Sequence, residues 1–172
     1  MSLRRPAVAG TLYPSDGEEL RRELKAVLPE ESKRRSLAVV VPHAGYMYSG
    51  RVAGAVFGRV EVPGEVVILA FNHRGRGASL AIWGEGSWRT PRGDVPVAAD
   101  LAGRIHDVFP AAAFNEEGHL GEHSAEVQVP FLQMIRPDVR IVPVALSVGI
   151  DEGSVAQLAA FGEKLAGVLK EE

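Results

Sequence analysis

Three apolar runs constrain this chain more than any other feature: Leu37 to Val41, Val66 to Phe71 and Val139 to Leu146. Each is short, rich in β-branched residues and nearly free of charge, the pattern of a strand buried on both faces. Between them, apolar residues recur at helical spacing. Leu20, Leu24, Val27 and Leu28 share one face of a segment that Pro14-Ser15-Asp16-Gly17-Glu18 opens, with Ser15 as cap and Glu18 as capping-box partner, and that Pro29 stops. Ser49 to Val60 reads as a second helix, capped by Ser49. Its Gly50, Ala53, Gly54, Ala55 and Gly58 suit close packing better than helix stability. Further helices are expected over Ala99 to Val108, Glu122 to Ile135, and beyond Asp151, where Val155, Leu158, Leu165 and Leu169 fall at core spacing. Short strands are expected at 80–83, 95–97 and 111–114, with an irregular loop over 84–93. The alternation predicts an α/β fold in one domain, residues 1–172, with a mostly parallel sheet and helices on both faces.

Composition narrows the function. At 172 residues the chain can bury about 70% of the surface its unfolded form exposes. A net charge of −3 gives no electrostatic basis for binding nucleic acid or an anionic membrane, and Lys33-Arg34-Arg35 reads as a solvated connection. The absence of cysteine excludes disulfides and thiolate metal ligands within the chain. The start lacks the apolar run of a signal peptide, and nowhere do about 18 apolar residues follow one another, so a cytoplasmic protein is expected.

Open α/β sheets place ligands beyond the carboxyl ends of their strands. The first apolar run delivers Pro42-His43-Ala44-Gly45-Tyr46-Met47-Tyr48-Ser49-Gly50, and the second delivers Asn72-His73-Arg74-Gly75. Two histidines at strand ends have two readings. Each ring is either satisfied by backbone hydrogen bonds in a tight loop, or the two are imidazole ligands of a metal such as iron, copper, zinc or nickel. His106, inside a helical stretch, reads as a boundary residue.

A second dense stretch is Gly118-His119-Leu120-Gly121-Glu122-His123-Ser124-Ala125-Glu126. Its spacing is wrong for the zinc-protease helix, which needs two residues between the acid and the second histidine. His123 in the first turn of a helix, with Glu126 three residues on to orient the ring, would suit proton transfer. The same residues suit a capping and packing cluster equally. Tyr46, Tyr48 and Trp88 are candidate pocket aromatics. No dinucleotide loop, phosphate-binding lysine motif or serine-nucleophile elbow is present.

Taken in order, Ala7, Gly10, Tyr13-Pro14, the Pro42-to-Gly50 loop, Asn72-His73, Trp88-Arg89-Thr90-Pro91-Arg92-Gly93 and Glu122-His123-Ser124-Ala125-Glu126 with Pro130-Phe131-Leu132 resemble the Memo-like proteins. The resemblance covers nearly the whole chain. It implies a fold like that of the class III extradiol ring-cleavage dioxygenases, His43 and His73 as metal ligands, and His123 in the same cleft as a catalytic acid or base. It further implies a divalent metal, iron first, then copper or zinc. Two departures matter. Family members run on past the point where this chain stops, into a part that would carry a third ligand, so a C-terminally short member is expected. Ala70-Phe71 also stands where a Gly-Pro is usual. The site is then expected to be two-histidine, or filled by Glu122, Glu126, His119 or His123, or completed by a neighbouring subunit in a homo-oligomer. The alternative is a non-catalytic module that binds a small molecule or peptide in a cleft of Tyr46, Tyr48, Asn72, Trp88, His119, His123 and the two glutamates.

Overall fold

The computed structural model describes residues 2–147, 149 and 151–170. Among these, the centre is a four-stranded sheet in the order β2-β7-β3-β6. Its strands are β2 (Glu65–Phe71), β7 (Arg140–Leu146), β3 (Leu80–Ile82) and β6 (Ala113–Phe114). β2 and β7 run parallel over seven residue pairs, β7 and β3 run antiparallel, and β3 and β6 run parallel. A smaller sheet joins β1 (Leu3–Arg4) in parallel to β4 (Ser87–Thr90), which pairs antiparallel with β5 (Gly93–Pro96). The α/β class expected from the sequence is present, but both sheets are mixed rather than mostly parallel. The reason is local. β3 follows β2 through the 72–79 loop and β5 follows β4 through a tight turn, so each runs back antiparallel, whereas β6, reached through the helix Ala99–Val108, lies parallel to β3.

Five α-helices are described: α1 (Gly17–Val27), α2 (Tyr46–Phe57), α3 (Ala99–Val108), α4 (Val129–Ile135) and α5 (Glu152–Lys170). They cover two sides of the main sheet. On one side α1, α2 and α4 bury Leu20, Leu24, Phe57 and Phe131 against Ile68, Ala70 and Ile141. On the other, α3 and α5 bury Leu101, Ile105, Phe161 and Leu165 against Val142 and Val144. The glycines of α2 do what their density implied. A Cβ on Gly54 would run into the backbone of Val27, so the small residue lets α2 lie directly on α1.

Five local expectations need correction. The stretch 84–93, expected as an irregular loop, holds β4, which pairs with β1 on one side and β5 on the other. The cap of α1 is Asp16, not Ser15; its carboxylate accepts the amides of Glu18 and Glu19 at 3.0 and 2.8 Å. Helix α2 starts three residues before Ser49, which instead donates to the Ala44 carbonyl. Residues 122–125 are not helical, and a 3₁₀ turn, Glu126–Gln128, precedes α4. Most consequential, Leu37 to Val41 forms no strand. The run has no strand partner among the described residues, with Leu37 74% and Val40 94% exposed.

Candidate metal centre

The carboxyl end of β2 is where the chain's histidines meet. Phe71 ends the strand, the Asn72 amide continues the ladder by donating to the Leu146 carbonyl (2.8 Å), and His73 follows at once. The Asn72 side chain is buried and closes its own loop. Its amide donates to the Arg76 carbonyl (2.7 Å) and its oxygen accepts the Arg74 amide (3.2 Å), with Gly75 at φ +59° making the turn. A second segment is pinned against this end, where the Ser124 hydroxyl donates to the Phe71 carbonyl at 2.6 Å. A third is brought in by Gln128, whose side-chain amide donates to the Pro42 carbonyl (3.1 Å), and by the Tyr46 amide, which donates to Leu12 (2.8 Å). His43, His73 and His123 therefore converge from three separated stretches.

Each ring offers a nitrogen, and the three nitrogens lie within 4.8 Å of one another, close enough to hold one metal ion. Nε2 of His43 is 3.3 Å from Nε2 of His73. Two imidazole nitrogens bound tetrahedrally at ~2.0–2.1 Å from a metal stand roughly 3.3–3.4 Å apart, so this spacing fits. The rings of His73 and His123 are stacked, with centroids 4.6 Å apart and planes at 24°.

Glu122 sits behind the two stacked rings. Its Oε1 lies 3.0 Å from Nδ1 of His73 and 3.1 Å from Nδ1 of His123. Burial pushes this carboxyl up, but the bonds from the His73 ring and from the backbone amides of Ser124, His123 and His73 together bring it down to about 2. It is therefore a fixed anion at any physiological pH. His43 is shifted downward, first by burial and then by its two histidine neighbours, so its ring stays neutral to lower pH than a free imidazole.

The other expected site residues have different places. Glu126 is not a ligand and does not orient His123. It is buried against Arg4, with Oε2 2.7 Å from Nη1, and it also accepts the Tyr13 hydroxyl (2.7 Å) and the amides of Ala7 and Val8. His119 is 1% exposed, its Nε2 donating to the Ala81 carbonyl (2.9 Å) among Trp83 and Trp88. Trp88 is core, with the Arg4 guanidinium 4.1 Å over its ring, and Tyr46 is core, its hydroxyl donating to the Val127 carbonyl (2.8 Å). None of these four can line an open cleft. Tyr48 is exposed, one turn into α2 from His43. The sequence reading missed the position of Glu122 as a shared partner of two rings, and no spacing rule would have signalled it.

Comparison with known proteins shows the family. The family model for the Memo-like protein matches residues 4–172. Curated relatives named "MEMO1 family protein" include one from Aquifex aeolicus, 42% identical over 175 residues and all of this chain. Others come from Aeropyrum pernix, 40% identical over 85% of the chain, and Thermotoga petrophila, 40% identical over 96%. The chain spans 64%, 58% and 63% of the lengths of these three relatives.

Proposed function

The chain belongs to the Memo-like family, and we propose that it binds one divalent metal ion through His43, His73 and His123. The convergence of three ring nitrogens within 4.8 Å carries this reading. An all-imidazole donor set suits zinc, copper, iron or nickel, and the family resemblance puts iron first. When bound, such an ion supplies Lewis-acid or oxygen-activating chemistry to a small molecule or peptide on its open side. The chain's own part is to hold the three rings, to keep His43 neutral, and to present the ion beside Phe71, whose ring lies 4.8 Å from that of His73.

A second role for His123 is favoured by one contact, its Nδ1 against the Glu122 carboxylate. A carboxylate–imidazole pair also makes a general acid or base, and in that reading His43 and His73 hold the ion while His123 moves a proton. No charge pattern recommends nucleic acid as a partner, and among the described residues no helix is long and apolar enough to cross a membrane. Self-association through the exposed apolar residues Leu37, Val40 and Phe71 completes the proposal.

Equilibrium dialysis of metal-free protein against Fe(II), Cu(II) or Zn(II), read by elemental mass spectrometry, tests it. About one equivalent is expected, falling sharply in His43→Ala and His73→Ala. Equal loss in His123→Ala makes it a ligand, whereas retention makes it the acid or base. Less than about a tenth of an equivalent for every metal overturns the reading and leaves a binding module without a metal.

A further inference from the structure

We infer that Glu122 is the positioning residue of this centre, one carboxylate that sets the tautomer and the aim of two imidazoles at once. The inference rests on the metal reading above for its consequence, though not for its geometry. An ionised carboxylate only accepts hydrogen bonds, so the His73 Nδ1 bonded to it at 3.0 Å carries its proton, and the His123 Nδ1, in ion-pair contact with the same oxygen at 3.1 Å, is favoured in the same form. Both Nε2 atoms are then left as lone-pair donors pointing away from Glu122. The stacked arrangement of the two rings follows from their hanging on the same oxygen.

Glu122 is not itself a ligand. Its Oε1 also accepts the amides of His123 (2.7 Å) and Ser124 (3.0 Å), and its Oε2 accepts the amide of His73 (2.7 Å). Oε1 is crowded by four nitrogens and Oε2 is held by the His73 amide, and among the described residues the donor atoms close enough to share an ion are those of His43, His73 and His123, not Glu122. The residue is also immobile, being 4% exposed with its carbonyl accepting Arg4 Nη2 at 2.5 Å. Arg4 thus anchors the backbone while the side chain anchors the rings. Among the described residues no carboxylate bonds to His43, so the site is two held rings and one freer one. A carboxylate behind a ligand imidazole also makes the ring a stronger donor, and losing such a partner typically costs 10–100-fold in metal affinity.

Glu122→Gln keeps the shape but turns one acceptor into an NH₂ group facing at least one N–H. Two measurements test the inference. Titration with Zn(II) should show the variant binding about 10–100-fold more weakly than the wild type, with an unchanged circular dichroism spectrum. Nitrogen-15 spectra of metal-free wild type should show His73 and His123 in the Nδ1–H tautomer, a signature that packing alone does not set. A variant affinity within about threefold of wild type, or an Nε2–H tautomer on either ring of the wild type, overturns it. Should the wild type bind no zinc, the metal reading fails, and the tautomer measurement still judges Glu122 by itself.

Discussion

His119 and His123 lie four residues apart and have opposite environments. Burial holds the His119 imidazole down to about 4, against about 6.5 for a free ring. Between those values the unfolded chain takes up a proton that the folded one refuses, so stability falls as the pH drops through that window. From pH 7.5 to 5 the loss amounts to about 2 kcal/mol. Urea unfolding of metal-free protein at the two pH values should show it, and His119→Gln should remove most of it; an unchanged difference would mean the ring is not held neutral. The paired glutamates teach the same lesson at this scale. Glu122 and Glu126 look alike in the sequence, yet one serves imidazoles and the other neutralises Arg4. Truncating one partner of that buried pair strands the other charge, so Glu126→Ala should cost about 3–5 kcal/mol in chemical denaturation, where a surface pair would cost under about 1 kcal/mol. The three histidines were legible as candidates because each sits in or beside a glycine-bearing loop, although only His73 follows directly on a strand. The division of labour between the two acids was not, because it depends on which way a non-helical turn faces.

Among the elements, α1, α3, α5, β2 and β7 were readable from their apolar pattern. Leu37 to Val41 was not, although it has the composition of β2. A strand exists only if a neighbour takes its backbone hydrogen bonds, and none of the described elements pairs with this run. The break before α4 has a local cause. Gly121 at φ +73° turns the chain, and the amides of His123 and Ser124 are claimed by Glu122 instead of by a helix. Helix α2 carries a sharper test. Gly54 touches the end of α1 so closely that Gly54→Ala must push the helices apart, despite alanine's better helix propensity. A loss of about 1–3 kcal/mol in urea unfolding is expected. A gain in stability would show that the α1–α2 contact is looser than described.

At the scale of the molecule, the two faces of the main sheet are unequal along β2. Ile68 and Ala70 are buried, while Leu69 and Phe71 on the opposite face are 49% and 52% exposed, with the Phe71 ring against that of His73, and Leu37 and Val40 are exposed as well. Apolar surface gathered in this way favours association. Light scattering should find concentration-dependent self-association that Val40→Asp weakens, with a thermal midpoint close to wild type because Val40 makes few contacts to lose. A strictly monomeric wild type would contradict that. The functional reading depends on one geometric claim, that three imidazoles share a single ion. X-ray absorption of protein carrying one equivalent of zinc measures it directly. The structure predicts three imidazole nitrogens at about 2.0–2.1 Å; an absorption edge showing only light oxygen ligands, with no imidazole scattering, would contradict it.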